Sequence, residues 1–127
     1  MSERVGDMPL IIDYSLCNQA VTLYSYDNGE IMRTQYDRAY FEHVEKETID
    51  NQGEHGKTEH LIVIPGNIPC SPGMRAYLGV GATLDNIEDA AAWWRAFIPS
   101  NDNNVVIVRS VSPRYWRGEI VHVELRG

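Results

Sequence analysis

Four histidines and two cysteines are the side chains of this sequence best suited to metal or nucleophilic chemistry. His55 and His60 lie five residues apart with Glu54 and Glu59 beside them, while His43 and His122 fall on other segments. A zinc site draws its ligands to about 2.0–2.3 Å and typically starts from a close pair such as HxxxH. No such pair occurs, so the histidines read as surface residues. Cys17 and Cys70 are isolated, with no CxxC spacing and no secretion signal, and are expected as free, buried or half-buried thiols. Ser71 lacks the GxSxG elbow that presents a serine nucleophile on a strained turn. Glu45 with Glu47, and Asp50 with Glu54, could act as general acid and base, but a solvated strand face is much the better account of them. Gly79-Val80-Gly81 has the start of a phosphate loop without its third glycine or its Lys-Ser/Thr pair, and reads as a turn or bulge. The expectation is a chain with no catalytic residue, metal ligand or cofactor.

Interaction chemistry is better represented. Trp93 and Trp94 are adjacent, so on a helix about 100° separates them; Trp94 fits the apolar stripe and Trp93 lies beside it, in the flank or facing a partner. Arg114-Tyr115-Trp116-Arg117 combines the three residue types most enriched at interface hot spots; the plainer reading is a hairpin loop whose aromatics cover a barrel end. The third candidate is Asp50, Asn51, Gln52, Gly53, Glu54, His55, Gly56 and Lys57, which contains no large apolar residue and predicts an exposed loop.

The elements that must position these groups are mostly strands. Ala20–Tyr26 and Glu30–Tyr36 are rich in β-branched and aromatic residues, and Asp27-Asn28-Gly29 between them suits a tight hairpin turn. Residues Ala39–Ile49 alternate imperfectly and predict a twisted, partly exposed strand with Phe41 and Val44 as its core contacts. Thr58–Ile64 ends in an apolar run fit for a central strand, stopped by Pro65-Gly66. A short strand is expected at Arg75–Gly81, and two late ones at Val105–Val111 and Glu119–Leu125. One helix is predicted over about residues 85–98, capped by Thr83 or Asp85, with Asp85 and Glu88 as a capping box. Residues 1–12 read as an N-terminal arm. The fold class predicted is mainly β, a small antiparallel β-barrel or sandwich with one α-helix.

At 127 residues the chain suits a single domain, and 43% hydrophobic residues is ordinary for a globular one. No segment reaches the roughly 20 apolar residues of a membrane span. The N-terminus has no basic-then-apolar leader, which predicts a cytosolic product with no membrane partner. Eighteen acidic against eleven basic residues, a net charge of −7, argue against a nucleic-acid reader, since phosphate neutralisation by Lys and Arg drives such binding. An acidic surface still suits a passage through which DNA slides without sticking.

In strand order the chain resembles small proteins encoded among the head and neck genes of tailed phages, including stopper (head-completion) proteins and minor capsid proteins. The resemblance is carried by Val21-Thr22-Leu23-Tyr24, the return through Arg38-Ala39-Tyr40-Phe41, the variable loop, the strand ending Leu61-Ile62-Val63-Ile64-Pro65, and Val105–Val108. It covers roughly residues 20–112 and contains no diagnostic motif; Phe41 stands where relatives often carry tryptophan, and the Trp-rich helix is a further departure. The resemblance implies a β-barrel subunit of the virion, assembled in the host cytoplasm, that forms a ring with copies of itself below the portal or its adaptor. Such rings join the head to the tail proteins, with DNA passing through a channel that Asp50–Lys57 would line. The alternatives are a minor capsid, head-decoration or tail-completion protein. Outside virion proteins they are a host-directed interaction protein, or a small β-barrel ligand-binding domain or enzyme with Pro65–Gly81 as its pocket rim.

Overall fold

The computed structural model describes residues 14–50 and 53–127, with side chains described for all of these except 44–50 and 53–58. The N-terminal arm predicted for residues 1–12 lies outside the described residues. After a 3-10 turn at Tyr14–Leu16 the strands are β1 (Gln19–Asp27), β2 (Glu30–Asp50), β3 (Gly53–Pro65) and β4 (Arg75–Leu78). A helix, α1 (Ala90–Ala96), precedes β5 (Val105–Ile107), β6 (Ser110–Trp116) and β7 (Glu119–Arg126). All seven strands belong to one antiparallel sheet in the order β5-β4-β1-β2-β3-β7-β6. The fold is therefore mainly β with one helix, as the sequence predicts.

The two ends of that order are strands β5 and β6, which only Val108 and Arg109 separate in the chain. The Val108 amide donates to Met74 O (2.9 Å) beside β4, and the Arg109 amide to Arg126 O (2.7 Å) on β7. One segment thus serves both ends, and the sheet must curl into a barrel-like form to allow it. Val105–Val111, expected as one strand, is divided at this change of partner. Alternation places Val21 and Leu23 of β1, Ile62 and Ile64 of β3, and Val123 and Leu125 of β7 in the interior with Ala39, Ala76, Val106 and Val108. Each fully buried aliphatic contributes about 1.5–3 kcal/mol relative to an exposed one.

β2 joins two predicted strands into one of 21 residues. Up to Ala39 it pairs with β1, and from Tyr40 with β3. The β1–β2 turn is the predicted hairpin: Asn28 (φ 52°) and Gly29 (φ 79°) both take the left-handed conformation that a type I′ turn needs. The Asp50–Lys57 segment is corrected. Apart from Asn51 and Gln52, which lie outside the described residues, its backbone is strand, paired from Lys46↔Lys57 to Asp50↔Gly53. A polar, glycine-containing sequence argues against burial, not against pairing, and a register fixed further in at Tyr40↔Val63 zips outward while no proline interrupts it.

The helix is shorter than predicted. Asp89, not Thr83 or Asp85, is its N-cap, accepting from the Ala92 amide (3.1 Å). The expected capping box does not form, because the Asp85 carboxylate accepts the Thr83 hydroxyl instead (3.0 Å).

Candidate functional site

The β6–β7 hairpin brings together the aromatic–arginine run. Arg114, Tyr115 and Trp116 end β6 instead of forming a loop, and Pro113 sits within the strand, where β6 has β7 as its one neighbour among the described strands. A proline there costs no ladder bond on the open side and blunts the edge against further pairing. The turn is Arg117-Gly118, with φ of 54° and 82°, the same positive-φ pair as in the first hairpin. Tyr115 is 64% exposed and Trp116 42%, so neither covers the barrel end as the plainer reading had it. The Arg117 guanidinium lies over the Trp116 ring, 5.3 Å from its centre. Arg114 pairs with Glu124 on β7 (3.1 Å). Two aromatic faces and a cation are thus held outward on a short turn, the chemistry of a protein-contact anchor.

Trp93 has a different setting. β1 is buried on both faces: Val21 and Leu23 point into the barrel, while Thr22 and Tyr24 are covered by the excursion between β4 and β5. Trp93 and Phe97, one helical turn apart, stack at 4.6 Å, and both rings meet Tyr24, at 5.6 and 4.7 Å. Trp94 stacks on Tyr26 (5.7 Å), and the Arg75 guanidinium lies 4.1 Å from its ring centre. Arg75 also donates to the carbonyls of Trp94 and Phe97, holding the end of α1, although its buried Nε finds no partner. Burial pushes its pKa below the usual arginine value. Trp93 therefore packs on the barrel wall.

Gly79-Val80-Gly81, the fragment of a phosphate loop, is a clamp. Thr22 Oγ1 donates to Gly79 O (2.9 Å) and accepts from the Gly81 amide (3.0 Å). The Tyr24 hydroxyl donates to Ala82 O, and Arg33 donates to the carbonyls of Gly81 (2.9 Å) and Ala82 (3.1 Å). A Cβ on Gly81 would collide with the Tyr24 hydroxyl. Burial raises the Tyr24 pKa despite the opposing Arg33 charge.

Sequence reasoning missed a polar chain on β7. His122, 3% exposed, meets the Tyr14 hydroxyl through Nδ1 (2.9 Å) and Glu124 through Nε2 (3.0 Å). Burial works against charge on Glu124, but its bonds to Arg114 and His122 outweigh this and hold the carboxyl below the usual range. The register shift between Arg114↔His122 and Tyr115↔Ile120 leaves Val121 as a bulge, which returns Ile120 to the core side, while His122 keeps the outer side that alternation from Val123 and Leu125 gives it. The alternation His122, Glu124, Arg126 was the legible signal; the partner Tyr14 was not.

His43 and His60 are directly opposed on β2 and β3, their rings 5.0 Å apart and perpendicular. Burial, then the nearby His43, lowers the His60 pKa. Among the described residues no group of three or more His, Cys, Asp or Glu side chains converges on one point. Neither cysteine is in a disulfide, Cys17 being buried and Cys70 half-buried; burial pushes the Cys70 thiol pKa up. Cys70 lines an open cleft of about 800 Å³ with Leu23, Met32, Tyr36, Met74 and Trp94. Among the described residues no helix is long and apolar enough to cross a membrane. Compared with family models, curated proteins and solved structures, the chain matches none.

Proposed function

We propose that the chain is a structural subunit of a tailed-phage neck, a barrel that assembles into a ring with its own copies between the portal or adaptor and the tail. The observation that carries the reading is the β6–β7 tip, where Tyr115, Trp116 and Arg117 stand exposed on a two-residue turn. Large aromatics left outward on a rigid hairpin are contact anchors, because burying them against a partner recovers area that the monomer leaves in water. The β2–β3 hairpin supports the reading as well. Its ladder continues from Glu42↔Leu61 out to Asp50↔Gly53, past the Leu61–Pro65 stretch that β7 covers. A long two-stranded ribbon is suited to reaching into a channel, and the net charge of −7 suits DNA that passes without binding.

The test is co-sedimentation of the purified chain with cognate portal-bearing heads that lack tails. Binding of the chain in a fixed ratio to the portal vertex is expected, and its loss on combining Tyr115→Ala with Trp116→Ala. A chain that stays in the supernatant with portal, adaptor and tail components alike overturns the proposal. A second reading, a small ligand-binding domain, is favoured by the cleft lined by Met32, Tyr36, Cys70 and Met74. It predicts a rise in melting temperature in a metabolite screen, since a ligand above its Kd stabilises by RT ln(1 + [L]/Kd).

A further inference from the structure

We propose that His43 and His60 form a binding site for a divalent transition-metal ion, with copper(II), nickel(II) or zinc as the fitting class. The two residues are exact cross-strand partners, so their Cβ atoms are held side by side on one face of the β2–β3 ladder. That face is the concave one: His43 follows Phe41 and His60 precedes Ile62 on the side that packs into the core. Metal–nitrogen bonds of about 2.0–2.1 Å, with two imidazoles at roughly 90–110° about the ion, put the ring centres roughly 4.5–5.3 Å apart. The observed 5.0 Å falls in that interval; the rings stand perpendicular, so the exposed His43 ring must turn for both to face one ion, and the His60 ring already hydrogen-bonds the Gly127 backbone. Both rings open into a cleft of about 730 Å³ lined also by Asn103, Val105, Arg109 and Gly127, which leaves room for water or an incoming donor at the remaining positions.

The same lining sets the metal class. Among the described residues that line the cleft there is no Asp or Glu side chain, and Arg109 is present, so side chains do not supply the oxygen-rich shell that calcium or magnesium takes. Neutral imidazole nitrogens favour copper, nickel and zinc by bond strength instead.

The full chain without an affinity tag is titrated calorimetrically with nickel(II) and copper(II), and separately with inorganic phosphate. One ion per chain is expected, with His43→Ala and His60→Ala each weakening binding at least about tenfold, the scale on which metal sites respond to lost support. His55→Ala should leave the affinity unchanged. Electron paramagnetic resonance of the copper(II) form should show two nitrogen donors, reduced to one in each variant. Should His60→Ala fail to fold, His43→Ala and His43→Asn, at an exposed position, carry the test alone. Absence of binding, binding that survives the His43 changes, or phosphate taken up at this cleft in place of metal each overturn the proposal.

Discussion

Around Tyr24, the rings of Trp93 and Phe97 close on one another beside Arg75; at the β6–β7 turn, Tyr115, Trp116 and Arg117 use the same residue types and leave them in water. The first cluster lies over a strand buried on both faces and is tied down by hydrogen bonds from Thr22, Arg33 and Arg75 to backbone carbonyls. The second rests on a strand at the end of the sheet order, oriented by a short turn, the Arg114–Glu124 pair and the Arg117 guanidinium over Trp116. Composition alone does not separate the two. What separates them is whether another layer of the chain lies over the strand: the excursion between β4 and β5 covers β1, and no described element covers the tip of β6.

The contrast breaks most sharply at Tyr24. Tyr24→Ala should lower folding stability by about 3–5 kcal/mol, the range for large buried aromatics, seen as a drop in denaturant midpoint. Combining Tyr115→Ala with Trp116→Ala removes two rings as well. That variant should shift stability by no more than about 0.5 kcal/mol per site, as surface changes do. Equal losses would mean that the tip is packed.

The clamp comes next. Thr22→Val keeps the shape but orphans Gly79 O and the Gly81 amide, and should cost about 1–3 kcal/mol in chemical denaturation. A smaller effect concerns acid. Because the Glu124 carboxyl is held below its ordinary pKa in the fold, its contribution is fully present above the unfolded value of about 4.3. That contribution fades as pH falls through the folded value. Melting temperature should therefore fall on acidification, and less steeply in Glu124→Gln. An unchanged slope would show that Arg114 and His122 do not hold the carboxylate.

Strand content and hairpins were legible because β-branched runs and an Asn-Gly turn act locally: β1, the first turn of β2 and the end of β3 fall where those signals lie. The helix start was not, since Asp89 is the same capping residue type as Asp85 and which of them meets a helix is settled in the fold, where Asp85 accepts from Thr83 and Asp89 from the Ala92 amide. Asp50–Lys57 was misread because composition reports solvent exposure, while pairing is settled by register many residues away. The run Arg114–Arg117 could be picked out by residue type, but its exposure depends on an edge position that no local signal encodes. Cross-strand neighbours such as His43 and His60, or Tyr14 and His122, are invisible until the sheet order is known.

The central claim, assembly through the exposed tip, is tested most directly by electron microscopy of a cognate portal complex incubated with the chain or with its Tyr115→Ala, Trp116→Ala form. A ring of subunits stacked on the portal, with the β6–β7 tip seated on a neighbour and no ring from the variant, is the predicted result. A bare portal with the wild-type chain, or an equally complete ring from the variant, would contradict it.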